Sequence, residues 1–262
     1  MKATPTSSSI EDYVKVIYSF TEWQDKPITS TQLAARLGVA NSSVSEMVRK
    51  LKDQDLVDHE PYSPIRLTAD GLKLALAMVR RHRLLETYLV RELDFSWDEV
   101  HDEAEHLEHA VSETFIERMS AKLGHPTRDP HGDPIPDAQG HIVMPPSHRL
   151  DELDAGHRGQ IARISDHDPE LLRHLQANGL GLDTKLEVIG RRPFGGTLEV
   201  RKLPSSFSPS SPAVPSSPDD ADRLDLGEEA VLSLWLVTQG THLDCTVQEP
   251  TAGSLMSPRN GR

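Results

Sequence analysis

The segment HDEAEHLEHAVSE, residues 101–113, carries seven acidic or imidazole side chains in its first nine positions. Carboxylates and imidazoles without thiolates suit Mn(II), Fe(II) or Zn(II), and not Cu(I) or an iron–sulfur cluster. Successive helix residues rotate by about 100°, so His101, Glu105, Glu108 and His109 share one stripe about 100° wide. Ala104, Leu107 and Val111 lie on another face, where a core belongs. Asp102, Glu103 and His106 point elsewhere, toward solvent. A solvated charged face is the plain alternative for such a helix standing alone. The preceding helix, however, carries His82 and Glu86 at i, i+4, on one face of its own. Two adjacent antiparallel helices bearing the same ligand types point to a metal centre.

The elements that position these residues follow from periodicity and punctuation. IEDYVKVIYSFTEW sets Ile10, Tyr13, Val14, Ile17, Tyr18 and Phe20 near helical spacing. In ITSTQLAARLGVANSSVSEMVRKLKDQDLV, Thr29 or Ser30 caps a short helix with Leu33, Ala34 and Leu37 inside, and Gly38 ends it. Asn41 or Ser42 caps the next helix, with Val44, Met47, Val48 and Leu51 inward. That is helix-turn-helix grammar. VDHEPYSPIRLTADG adds a short hairpin with a Pro-broken turn, which makes a winged helix and favours double-stranded DNA as partner. The recognition helix runs from about Asn41 to Lys52. Asn41, Ser42, Ser43, Ser45 and Glu46 face the groove, while Arg49, Lys50, Lys52 and the wing's Arg66 are phosphate candidates.

Thr68 caps a long helix, and Ser96 caps a second that continues unbroken to Gly124. Packed together, they leave an apolar surface for a second copy. Residues 125–150, dense in Pro, Gly and His, read as a linker. GQIARISD, TKLEVIGR, GTLEVRKL and AVLSLWLV are short β runs with one helix at PELLRHLQANG, which suggests a small barrel. The expected fold class is α+β, mainly α. A winged helix-turn-helix occupies 1–75, a helical metal-binding and dimerisation domain 76–148, and a β domain 155–240. A disordered Ser/Pro loop is expected near 204–221 and a flexible tail over 241–262.

The formal net charge is −13, with 13 histidines left out of the sum, and residues 1–70 are themselves slightly acidic. Acidity argues against unaided nucleic-acid binding and for cations as partners. The single cysteine, Cys245, excludes an intramolecular disulfide framework and a cysteine-rich zinc site. No apolar run would span a bilayer and MKATPTSSSIEDY has no secretory apolar region, so no membrane partner and a cytoplasmic location are expected. A carboxylate-bridged di-iron enzyme would need repeated Glu-x-x-His pairs. Glu103-x-x-His106 is the only such pair on these two helices and lies off the ligand stripe. With no Gly-rich nucleotide loop or nucleophile elbow either, no enzyme is expected. The competing expectation is a winged-helix regulator that senses a small organic ligand or a protein partner, without metal gating.

The order winged helix, RRHRLLE, HDEAEHLEH, GHPTRDPHGDPIP and small β domain resembles the diphtheria toxin repressor family of metal-dependent transcriptional repressors, over roughly residues 5–240. The resemblance implies a homodimeric repressor of metal uptake genes acting at a pseudo-palindromic operator. It implies a primary metal site at Asp12, Glu105, Glu108 and His109, and an ancillary site at His82, Glu86 and His101. In some members the third domain completes the ancillary site, which implicates His167 and Glu170 here. That domain resembles the SH3-like module of the family and of ferrous transport accessory proteins. Iron-responsive members have Met and Cys where this chain has Asp12 and Glu105; the exchange of sulfur for oxygen favours Mn(II), with Fe(II) the second choice. Some manganese-responsive relatives have Glu where this chain has Lys15, and a charged lysine cannot ligate. Without metal, the crowded carboxylates are expected to repel and hold the site open.

Overall fold

The computed structural model describes residues 7–24, 26–61, 63–193, 196–205 and 222–238. Helices α1 (Ser8–Glu22), α2 (Ser30–Leu37) and α3 (Asn41–Asp53) precede a hairpin of β1 (Val57–Asp58) and β2 (Arg66–Leu67), paired Val57 to Leu67. Val14, Leu33, Val44 and Leu51, all named inward by the periodicity, are fully buried between them with Ile65, while Phe20, Leu37 and Met47 are partly buried. A reciprocal capping box starts α2: the Thr29 side chain accepts from the Gln32 amide, and Gln32 Oε1 accepts from the Thr29 amide. Gly38 ends it in the left-handed region at φ 64°. The cap of α3 corrects the sequence expectation. Ala40 is the N-cap, Asn41 is already helical, and no side chain caps the helix. The short turn after Gly38 sets this start, so the first amides of α3 carry no intrahelical or side-chain partner.

Helix α4 (Ala69–Leu93) is a 25-residue beam shared by two cores. Thr68 caps it by accepting from the Gly71 amide. Ala75, Leu76 and Val79 pack into the winged-helix core, while Leu84, Leu85 and Leu89 join Val100, Ala104, Ile116, Met119 and Ile135. The helix expected from Ser96 to Gly124 is in fact two, α5 (Val100–Leu107) and α6 (Glu113–Lys122). Ser112 adopts extended geometry and its hydroxyl accepts from the Phe115 amide, so its side chain competes with continuing the helix. The break leaves Glu108 and His109 in a turn under α4.

The expected linker over 125–150 is corrected in its first half, while residues 137–147 are irregular and none of them is buried. Asp129 and the run 131–136 are buried, with an isolated bridge between Arg128 and Pro134. Gly132, at φ 94°, presses its backbone on the β domain; a Cβ there would lie 2.0 Å from the Ala162 carbonyl oxygen.

The third domain is one antiparallel sheet in the order β3-β8-β4-β5-β6-β7. Its strands are β3 (His148–Arg149), β4 (Arg158–Ile164), β5 (Lys185–Arg191), β6 (Leu198–Leu203), β7 (Arg223–Leu226) and β8 (Leu234–Thr238). A 3-10 turn (Leu150–Glu152), α7 (Pro169–Ala177) and the short α8 (Glu228–Leu232) complete it. Ile161, Ile164, Leu175, Leu186, Val200 and Leu236 form its core. An irregularity between Ile161 and Arg163 breaks the alternation of β4. Arg163 is thereby buried against Asp133 while Ile161 and Ile164 lie in the β core. The expected Ser/Pro loop, beyond residue 205, and the expected tail lie outside the described residues. No helix among the described residues is long and apolar enough to cross a membrane.

Candidate metal centres between three domains

The first centre joins α1 to the end of α5. Asp12, Glu108 and His109 bring ligand atoms within 4.8 Å of one another. His109 spans the joint: Nε2 lies 2.8 Å from Asp12 Oδ1 and Nδ1 lies 2.8 Å from Glu11 Oε2. Glu11 is a participant that the sequence reading missed, although it adjoins Asp12. Glu105 does not join this trio. It turns instead to Lys15, whose Nζ donates to Glu105 Oε1 at 2.5 Å and to Glu108 Oε1 at 2.6 Å. This corrects the expectation of a site held open by repulsion, because an ammonium lies between the carboxylates and fastens α1 to α5. Burial works against charge on Glu108, but hydrogen bonding from His82 and the Lys15 charge outweigh it and hold its carboxyl below the usual range. Burial raises the Asp12 carboxyl, against the pull of His109.

The second centre lies on the other side of His82. Its Nδ1 is 2.7 Å from Glu108 Oε2 and its Nε2 is 3.0 Å from Glu86 Oε1. His101 Nδ1 lies 3.2 Å from His82 Nε2 and 3.3 Å from Glu86 Oε1, so the expected ancillary trio is assembled. Burial opposes the charged His82 ring, yet the Glu86 charge and carboxylate hydrogen bonds push it up to about 9. Burial likewise opposes His101, and Asp166 and Glu86 push it up to about 11.

Glu86 also belongs to a second group of possible ligands, with His131 and Asp166. The fully buried His131 places Nε2 2.7 Å from the Trp97 carbonyl, so that nitrogen carries the proton and donates. Its Nδ1 has no hydrogen-bond partner among the described residues. A buried ring oriented by a carbonyl, with its other nitrogen unpartnered beside two carboxylates, fits a cation ligand. Burial opposes charge on Asp166, but a hydrogen bond with His101 and the His131 charge hold it well below the usual range. Asp129, buried nearby, accepts from the amides of His131 and Asp133 through one oxygen. Burial, then the Asp133 and Glu86 charges, push its carboxyl up to about 8.

His131 and Asp129 were missed because DPHGDP reads as linker; an imidazole flanked by two Asp-Pro steps was the available signal. The β-domain contribution also corrects an expectation. Asp166, 3.4 Å from His101, faces the centre, whereas His167 and Glu170 do not join it. His167 is 59% exposed in its side chain and its Nε2 lies 2.9 Å from Arg36. Glu170 is exposed on the first turn of α7. Asp168 caps that helix by accepting from the Glu170 and Leu171 amides, which turns the chain away just after Asp166.

Both centres open on a cavity of about 470 Å³ lined by Asp12, Lys15, His82, Glu86, Arg163 and Asp166, among others. Its floor joins all three domains. Arg83 Nη2 donates to Glu22 Oε2 at 2.6 Å, and Arg163 Nε donates to Asp133 Oδ1 at 2.6 Å. The Arg163 guanidinium lies 4.6 Å from the Trp23 ring centroid and 4.2 Å from that of Trp235. At the far end, Asn41, Ser42, Ser43, Ser45, Glu46, Arg49, Lys50 and Arg66 are exposed. Lys52 is exposed too but braces the wing, donating to Glu60 at 2.9 Å and to the His59 carbonyl at 2.8 Å.

A winged helix tied through shared α4 to convergent carboxylate–imidazole centres, with a small β domain closing them, defines a class of multidomain DNA-binding protein. The comparisons narrow it. Residues 5–65 match the iron dependent repressor N-terminal DNA binding domain, 68–137 the iron dependent repressor metal binding and dimerisation domain, and 148–207 the FeoA domain. The iron-dependent repressor IdeR of Mycobacterium tuberculosis is 31% identical over 198 residues, 71% of this chain and 85% of that protein. Among solved structures, a manganese-dependent transcriptional repressor in complex with manganese shares 46% identity at a TM-score of 0.78, over 88% of this chain and 100% of that one. The manganese regulator SloR shares 30% at 0.70, over 90% of this chain and 100% of its own. The chain belongs to the iron-dependent (diphtheria toxin) repressor family of metal-dependent transcriptional regulators.

Proposed function

We propose that this chain is a homodimeric DNA-binding repressor of metal uptake genes, activated by Mn(II) in preference to Fe(II). The observation that carries the reading is the assembly of ligand atoms from separate domains, Asp12 from the winged helix and Glu108 and His109 from the helical domain. Residues 1–75 bind DNA, 76–148 bind metal and pair, and 155–240 complete the second centre. Asp12, Glu108 and His109, with Glu105 beside them, hold one ion; Glu86, His101, His131 and Asp166, with His82, hold another. A bound divalent cation would draw these carboxylates and neutral imidazoles to itself, in place of the protons they share in its absence.

The residues do the rest. Asp12 ties α1, and through its core α3, to the end of α5 at one angle. Leu93 and Phe115, 53% and 48% exposed, offer apolar surface on the helical domain for a second copy. Two copies then present their α3 helices to a two-fold operator, which places the working protein in the cytoplasm. Every ligand candidate is oxygen or nitrogen, which supports Mn(II), and the similar structures solved with SloR and with bound manganese accord with that choice.

Binding to labelled DNA from upstream of a metal transporter, measured across Mn(II), anaerobic Fe(II), Zn(II) and chelator, tests the reading. Tight binding is expected with Mn(II), lost on chelation and in Glu108→Gln or His109→Ala. Equal binding in every tube establishes instead a winged-helix regulator without metal gating.

A further inference from the structure

Lys15 follows Asp12 by one helical turn on α1 and turns toward α5 and α4. Its side chain is 9% exposed and that of its partner Glu108 is 0% exposed. The two carboxylates it bridges, Glu105 and Glu108, form with His82 a group whose ligand atoms lie within 4.8 Å of one another. That is the spacing of a cation site, and an ammonium is seated on it. The adjoining group, Asp12, Glu108 and His109, meets the same criterion and shares Glu108. Two ligand groups joined by one common carboxylate are the framework of a two-metal centre, with ions about 3.5–4 Å apart.

Resting on the metal reading above, we propose that Lys15 is a tethered cation that fills the second position of this framework, so that the first centre takes one divalent ion and not two. A buried carboxylate must be compensated, and removing its partner leaves an unpaired buried charge. Glu108 meets that requirement with a charge that never dissociates. Half of the cluster is therefore neutralised at every metal concentration, and only the Asp12–His109 half responds to supply. Occupancy of the first centre then follows a single-ion isotherm, without the steepness of two ions entering one cluster.

The test counts ions. Metal-free full-length protein carrying Glu86→Gln, which removes the carboxylate common to both ligand groups of the second centre, is titrated with Mn(II) and read by equilibrium dialysis and electron paramagnetic resonance. Lys15 in place, one ion per protomer with no exchange-coupled pair is expected. Adding Lys15→Glu should raise the count to two and produce the coupled-pair signal, whereas Lys15→Arg should leave it at one. Equal counts in the Lys15 and Lys15→Glu proteins, both folded by circular dichroism, overturn the proposal. So does a coupled pair with Lys15 present, an outcome that does not depend on any Lys15 variant folding. No bound Mn(II) at either centre in the unsubstituted chain overturns the metal reading itself, and this proposal with it.

Discussion

His131 is held by one nitrogen and leaves the other without a partner among the described residues, in a buried position where an unmet polar atom is costly. Replacing it with Ala should weaken Mn(II) binding at the second centre by roughly 10–100-fold, the loss typical of groups that support a metal site. Competition against a chelating dye reads this directly, and an unchanged affinity would remove His131 from the centre. Protons compete for the same ligands. His82 and His101 are raised to about 9 and 11, so near neutral pH both rings are charged in the metal-free protein. Ligation requires the neutral ring, so metal binding must expel protons and tighten as pH rises. The same shifts stabilise the metal-free fold most fully below the unfolded histidine value of about 6.5. That contribution falls away as pH climbs through 9 toward 11. Calorimetry in buffers of different ionisation enthalpy should show proton release on Mn(II) binding, and the metal-free Tm should drop across that alkaline window.

Element boundaries decide which residues meet. The stop between α5 and α6 rests on Ser112, and Ser112→Ala should cost about 1 kcal/mol, seen as a lower Tm. The junction at Arg163 is the stronger test. Its guanidinium lies between Trp23 of the α1 end and Trp235 of β8 while pairing with buried Asp133. Arg163→Ala leaves that carboxylate short of a cation, and about 3 kcal/mol of lost stability is expected. Because the residue joins the β domain to the others, denaturation followed by tryptophan fluorescence should also split, with the β domain unfolding separately. A single transition at the original midpoint would show that the sandwich holds nothing together.

Across the whole molecule, a chain of net charge −13 is asked to approach DNA. The exposed cations proposed to meet DNA, Arg49, Lys50, Lys52 and Arg66, are few, so non-specific affinity should be low and two-fold presentation should matter greatly. Lys50→Ala should weaken binding about equally on specific and unrelated sequences and reduce the salt slope by about one, whereas Ser43→Ala should act on the operator alone. Titrations of fluorescent duplexes at several salt concentrations separate the two.

Much of this was legible in the residues themselves. Helical and strand periods, the Thr29 and Thr68 caps and Gly38 act between neighbours a few positions apart, so their physics is written locally. The two ligand sets were legible for the same reason, since His82–Glu86 and His101–Glu105 each share a face of one helix at i, i+4. What was not legible depends on distant partners. Asn41 yields the cap to Ala40 because the turn after Gly38 sets the helix start. Asp129 and residues 131–136 read as linker until packing buries them, and only then does His131 approach Glu86. Asp166 and not Glu170 reaches the centre because the Asp168 cap turns α7 outward. Sequence alone determined the winged helix and the family, and it supplied the carboxylates and imidazoles of the proposed centres. Tertiary packing decided which side chains converge, and it set Lys15 between Glu105 and Glu108, because burial and convergence are properties of surfaces that meet only after folding.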